Sequence, residues 1–158
     1  MKVVLSFGSN LGNRKAYILS AMEELIINKI GTLIKTSSII ETKPWGFLSN
    51  SKFLNSVALY ETALSPKEVL VLCNTIEKKL GRKREKNKKG YSSRTIDIDI
   101  LFYENLIIDE EKLKIPHPLI EYRDFVLNPL KEIIPFFVHP ILNKQIKDII
   151  LKTPLDML

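Results

Sequence analysis

The most regular pattern in the chain runs from 96 to 100, where apolar and polar positions alternate one for one. A period of two belongs to an extended backbone, so Ile96, Ile98 and Ile100 share one face and Asp97 and Asp99 the other. The strand rise sets the two carboxylates about 7 Å apart. Asp is depleted in strands, so two on one face ask for a reason. One reason is a half-exposed strand whose polar face meets water. The other is a hard divalent cation, because Mg²⁺ is commonly held by one or two carboxylates plus phosphate oxygens. On this stretch alone the solvated face stands slightly ahead.

The same patterning predicts the other elements. Residues 2–7 read as a strand, 8–13 as a turn-rich break, and 14–29 as a helix with Ile18, Leu19, Met22, Leu25 and Ile26 at helical spacing and Gly31 as its stop. The break lacks the Lys-Ser/Thr of a P-loop and reads as a structural turn bordering a site. The β-branched run 32–42 predicts one or two strands, interrupted near 36–38. Residues 43–50 form a loop with aromatics, suited either to tucking against the core or to closing over a flat ligand.

Alternation returns over 53–62 and puts Phe53 and Asn55 on one face, a ring to stack on beside an amide that both donates and accepts. Ser65, Pro66 and Glu68 make a helix start with a capping box, and Val69, Leu72, Cys73, Ile76 and Leu80 carry an apolar stripe to Gly81. Glu77 lies off that stripe and reads as a solvated surface carboxylate. Glu104-Asn105 predicts a hairpin back to 106–108. His117, between Pro116 and Pro118, is held on extended backbone, which suits a fixed donor to phosphate or an ordinary turn. Short helices are expected over 121–130 and 144–151. Without a regular β-α-β-α rhythm, the elements predict an α+β sandwich.

Composition changes this picture only in places. At 158 residues and 45% hydrophobic content the chain reads as one domain, 1–158, with ample core. No apolar run approaches membrane-spanning length, and the first residues lead straight into a strand, so a soluble intracellular protein is expected. Cys73, the single cysteine, cannot form an internal disulfide and sits among apolar positions as a buried structural thiol. The net charge of +6 comes from one place: eight of the twelve residues from 78 to 89 are Lys or Arg, and elsewhere the two signs nearly balance. Such a run is a solvated face, a nucleic-acid patch or a polyphosphate clamp. Its position just before the Asp97 strand raises the last. A small RNA- or DNA-binding module is the rival, since a basic loop and exposed aromatics bind single strands by stacking. Against it, the sheet lacks the aromatic signature of an RNA-recognition motif, and acidic residues on a central strand would repel a nucleic-acid backbone.

Six stretches then fall into one order: Gly8-Ser9-Asn10-Leu11-Gly12, Phe53-Leu54-Asn55, Gly81-Arg82-Lys83-Arg84, the run from Arg94 through Thr95 and Asp97 to Leu101, Ile115-Pro116-His117-Pro118 and Arg123-Asp124-Phe125. In that order, over almost the whole chain, the sequence resembles the 6-hydroxymethyl-7,8-dihydropterin pyrophosphokinase family. The resemblance implies a ferredoxin-like α/β sandwich with a mainly antiparallel central sheet. It implies transfer of diphosphate from ATP, the co-substrate, to the pterin hydroxymethyl group in folate biosynthesis, leaving AMP. Asp97 and Asp99 would bind two Mg²⁺ ions and, with Arg82 and Arg94, form the catalytic set. Glu77, Arg84, Arg94, Ile98, Lys112, Lys114, His117 and Arg123 would face ATP. Thr42, Pro44, Trp45, Phe53, Asn55 and Phe125 would hold the pterin. A cytoplasmic monomer is expected, with these small molecules as partners and neither nucleic acid nor membrane. The chain departs from the family where Lys89-Gly90-Tyr91-Ser92-Ser93 replaces an aromatic-Gly-Pro run, at Pro118 where Tyr is frequent, and at Phe53, which keeps the stacking face of a common Tyr and drops its hydroxyl.

Overall fold

A computed structural model describes residues 1–42, 52–81 and 95–153. The strand signals above resolve into β1 (Lys2–Ser9), β2 (Gly31–Thr36), β3 (Ile40–Thr42), β4 (Phe53–Thr62) and β5 (Asp97–Tyr103), all in one antiparallel sheet. Its order is β2-β4-β1-β5, with β3 pairing the start of β4. Two helices, α1 (Arg14–Ile27) and α2 (Pro66–Lys79), cross over between β1 and β2 and between β4 and β5. That is the split βαβ arrangement of a ferredoxin-like fold. A separate ribbon of β6 (Ile108–Glu110) and β7 (Leu113–Ile115) precedes α3 (Asp124–Ile133).

Alternation along the strands explains the layers. Val3, Leu5, Phe7, Ala58, Tyr60, Ile98 and Ile100 turn toward α1 and α2, where they meet Ile18, Leu25, Val69, Cys73 and Ile76. Val4, Val57, Leu59, Leu101 and Phe102 turn the other way and pack under Val126, Leu127, Leu130 and Ile133 of α3, joined by Ile146 and Ile149 from the C-terminal stretch. The register of β1 on β5 jumps from Val4↔Phe102 to Leu5↔Ile100. This bulge puts both Leu101 and Phe102 on the α3 side and returns Tyr103 to the other core.

The helix starts follow their caps. Asn13 accepts from the Ala16 amide at the head of α1, and Ser65 and Glu68 form the predicted capping box on α2.

The structure corrects several expectations. β1 continues through Gly8 and Ser9, so the break starts at Asn10. α1 stops at Ile27, and Lys29 with φ 65° takes the left-handed position expected of Gly31. Gly31 opens β2 instead, at φ 134°, where a Cβ would lie 1.9 Å from the Glu61 carbonyl oxygen. Residues 104 and 105 do turn, yet 108–110 pair with β7 and not back onto β5. The expected helix over 121–130 is a 3-10 turn, Ile120–Tyr122, followed by α3; that over 144–151 is only the 3-10 turn Ile146–Asp148. The strand carrying Asp97 and Asp99 is an edge strand, not a central one.

Candidate active site

Three adjacent strands set the floor. Gly8 of β1 stands opposite Asn55 of β4 on one side and Asp97 of β5 on the other. Strands lie about 4.8 Å apart, so the Cα atoms of Asn55 and Asp97 are about 10 Å from each other across Gly8. All three lie on the α3 side of the sheet, as do Val57, Val4 and Leu101 further along. The next position of β1 on this face is Ser6, opposite Asp99. Small residues in this row leave the sheet surface low beside α3. A Cβ at Gly8 would come 3.1 Å from Asn55 Oδ1 and 3.7 Å from the Phe53 ring.

On the β4 side, Asn55 is buried, and its Nδ2 donates to Thr42 Oγ1 at 2.8 Å across the β3–β4 pair. Phe53 is half-buried at the start of β4, next to Thr42 in register. Phe125, also half-buried, lies in the first turn of α3, with the Arg123 guanidinium 5.6 Å from its ring centre. Arg123 is buried at the head of this helix, and desolvation lowers its pKa to about 10, still far above neutrality.

On the β5 side a cleft of about 390 Å³ runs along the sheet edge. It brings together Glu77, Asp97, Ile98, Asp99, Lys112, Lys114 and His117, seven residues spread over forty positions of sequence. Asp97 and Asp99 are half-exposed while Ile98 and Ile100 between and beyond them are buried, as the alternation predicts. Among the described residues no group of three or more His, Cys, Asp or Glu forms a metal cage. Lys114 is ion-paired with Asp109 across the β6–β7 ribbon, and Lys112 is exposed at its turn.

His117 is more fixed than its neighbours. Its amide donates to the Leu101 carbonyl at 3.0 Å, and its Nδ1 accepts from the Leu119 amide at 3.1 Å. That assignment leaves the proton of the neutral ring on Nε2. Burial lowers the pKa of the imidazole, and the Asp97 carboxylate opposes the shift. A neutral ring with an Nε2–H directed by its own backbone suits donation to an anionic oxygen.

Glu77 overturns its expected place. It is 4% exposed, and its Oε1 accepts from the Ile98 amide at 2.9 Å. With Asp99 it pushes the buried Cys73 thiol further up, beyond what desolvation does alone, so Cys73 stays protonated and inert.

Pro44, Trp45, Arg82, Arg84 and Arg94 lie outside the described residues, as do most of the basic run and the 43–50 loop. Sequence reasoning missed Leu70 and Asn74, which line the cleft. They stand two turns and one turn before Glu77 on the same side of α2, so helical spacing links both to it, although Leu70 is apolar and by itself reads as core. It also read Gly8 as part of a turn, where strand register makes it the centre of the floor.

Comparison with known proteins accords with this geometry. Residues 4–135 match the family described as 7,8-dihydro-6-hydroxymethylpterin-pyrophosphokinase (HPPK). The 2-amino-4-hydroxy-6-hydroxymethyldihydropteridine pyrophosphokinase of Aquifex aeolicus is 44% identical over 92% of this chain and 88% of its own length. That of Porphyromonas gingivalis is 41% identical over 87% of this chain and 93% of its own. A solved HPPK-DHPS structure from Plasmodium falciparum superposes with a TM-score of 0.72 at 19% identity, covering 92% of this chain and 43% of that one. This chain therefore spans under half of that larger protein, and the likeness at that identity bears on the fold alone. On the match over most of its length and the identities above 40%, the chain belongs to the 7,8-dihydro-6-hydroxymethylpterin-pyrophosphokinase family.

Proposed function

We infer that the family's reaction runs across the Asn55–Gly8–Asp97 row: ATP lies along the β5 cleft, the pterin lies over β4, and the diphosphate passes from one to the other above Gly8. That row carries the reading, because it sets a base-recognising amide and a carboxylate pair on one sheet face about 10 Å apart. The chain is thus an enzyme that uses ATP to pyrophosphorylate 6-hydroxymethyl-7,8-dihydropterin, in folate synthesis.

In this reading Phe53 and Phe125 stack on the pterin, and Asn55, held by Thr42, reads its polar edge. Asp97 and Asp99 hold Mg²⁺. Two half-exposed carboxylates with no third protein ligand among the described residues fit a cation that completes its shell with phosphate oxygens and water. Bound there, Mg²⁺ would neutralise the phosphate chain and activate the β-phosphorus. Two such ions are our expectation. His117 donates Nε2–H to a phosphate oxygen, and Arg123 supplies a fixed positive charge behind the transferring group. Arg82, Arg84 and Arg94 complete the clamp, with Ile98, Lys112 and Lys114 along the nucleotide and Pro44 and Trp45 over the pterin. The protein's work is then positioning and charge neutralisation, with the pterin hydroxyl attacking in line and AMP leaving. The protein acts as a monomer in the cytoplasm on this proposal.

A coupled assay for AMP tests it. AMP should form only with ATP, Mg²⁺ and the pterin alcohol together, and EDTA should abolish it. Formation of ADP, or turnover unaffected by EDTA, would sink the proposal.

A further inference from the structure

β5 closes the sheet on the cleft side, so alternate backbone groups along it point away from β1. Ile98 is one of these positions, because its amide is taken from outside the sheet by Glu77. It is also the single residue between Asp97 and Asp99. On an exposed edge water would satisfy this N–H. Here a side chain does so from the last turns of α2, at 4% exposure and in the company of two other carboxylates. The carboxylate thus takes a backbone donor that would otherwise face the cleft.

What it provides is rigidity on the side of β5 where no strand among the described residues pairs with it. The Ile98 amide is tied to Glu77 at 2.9 Å, and three residues on, the Leu101 carbonyl is tied to the His117 amide at 3.0 Å. The two ties bracket Asp99 and follow Asp97 directly. They hold the outer edge of β5 as a further strand would, while leaving the cleft open between them.

We propose that Glu77 is a positioning residue: by accepting the Ile98 amide it fixes the backbone between Asp97 and Asp99 and so the direction in which both carboxylates face the phosphate chain. Its role depends on an acceptor oxygen at that reach from α2 and not on negative charge. The inference rests on the reaction proposed above, and goes beyond the nucleotide contact that the family resemblance implies for Glu77.

Reach and charge separate in three variants. Glu77→Asp keeps the charge and shortens the side chain by one methylene; Glu77→Gln keeps the reach and drops the charge; Glu77→Ala loses both. Displacing a reacting geometry by about 1 Å lowers the rate by about 100-fold. Glu77→Asp and Glu77→Ala should therefore lower kcat by about that factor with little change in KM for ATP, and Glu77→Gln should recover most of the loss. Amide hydrogen exchange in the ligand-free protein gives an independent readout: Ile98 should stay protected in Glu77→Gln and exchange faster in Glu77→Asp. If Glu77→Asp outperforms Glu77→Gln, charge is what matters and the proposal is wrong. A rise in KM for ATP at constant kcat in Glu77→Ala would likewise overturn it, in favour of a direct nucleotide contact. Should Glu77→Ala not fold, the Asp and Gln variants still decide. If the wild type makes no AMP at all, the reaction assignment fails, and exchange at Ile98 still reports whether Glu77 ties the strand.

Discussion

β2 and β5 close the same sheet at opposite edges, and the chain treats them differently. Every residue of β2 is exposed, with Leu33 and Ile34 at 38% and 40%. Its register on β4 jumps between Leu33 and Lys35, and a lysine interrupts its apolar run. Bulges and edge lysines are common means of keeping a free edge from pairing with other strands. β5 is buried on one face and tied along its outer edge by Glu77 and His117, and a cleft replaces solvent. One edge is made unattractive to partners; the other is tied at two points beside an open cleft. The same backbone liability is resolved once by disruption and once by occupation.

The largest test of this contrast is at the β5 carboxylates. Asp97→Ala or Asp99→Ala removes a half-exposed polar group and no core contact, so the fold should persist by circular dichroism. On the metal role proposed for them, each would contribute several kcal/mol of transition-state stabilisation, and turnover should fall more than about 100-fold. Comparable AMP production in either variant would show that the edge is not the seat of the chemistry.

At β2 the corresponding damage is to stability. Gly31→Ala would force a Cβ to within 1.9 Å of the Glu61 carbonyl at φ 134°. Something must shift, and about 2 kcal/mol of stability should be lost in urea unfolding. The turnover of the folded protein should stay at the wild-type level, because β2 lies two strands away from Gly8. A change in kcat at preserved stability would reverse the assignment of the two edges.

How much of each edge was legible in the sequence follows from the range of the signal. The Asp97/Asp99 alternation, the Ser65 capping box and the Gly81 stop rest on neighbours a few residues apart, and they stand as read. The burial of Glu77 was missed although helical spacing places it one turn beyond Cys73, on the flank of the apolar stripe, because a carboxylate there reads as solvated until an edge strand twenty-one residues on supplies a donor. The 104–108 hairpin failed for a related reason: the turn residues are there, but 108–110 found a better partner in β7. Lys29 took a left-handed conformation that propensity assigns to glycine, leaving Gly31 for a place where backbone crowds it. Of the residues proposed for the site, Phe53 and Asn55 were legible as a face, and the motif resemblance supplied Thr42, Arg123 and Phe125. Gly8 became meaningful only through register across three strands.

Gly8 gives a smaller effect that sharpens where the two halves of the site meet. A methyl there would stand 3.1 Å from Asn55 Oδ1 and press on the amide that Thr42 holds. Weakening one neutral hydrogen bond is worth about 1 kcal/mol. Gly8→Ala should therefore raise KM for the pterin alcohol about fivefold, and should leave KM for ATP less affected. Equal rises for both substrates would place Gly8 under the phosphate path alone.

Acid should produce the smallest effect, and on the β5 side. The His139 ring packs edge-on against Phe102 of β5, and its Nδ1 accepts from the Ile141 and Leu142 amides. Burial lowers its pKa below the ordinary 6.5, and desolvation also lowers that of His117, whose amide ties Leu101. Between the lowered folded values and 6.5 the unfolded chain binds more protons than the folded one. Stability is therefore fully present above about pH 6.5 and is lost as the pH falls through that window. Urea unfolding at pH 7 and pH 5.5 measures the slope. His139→Asn keeps a polar acceptor near the two amides and removes the titrating group, so it should flatten that slope. Amide exchange should show β5 loosening with acid before β4 and β1 do, since among the described residues both histidines bear on that strand. An unchanged slope in His139→Asn would move the acid sensitivity to His117 and to the tie at Leu101.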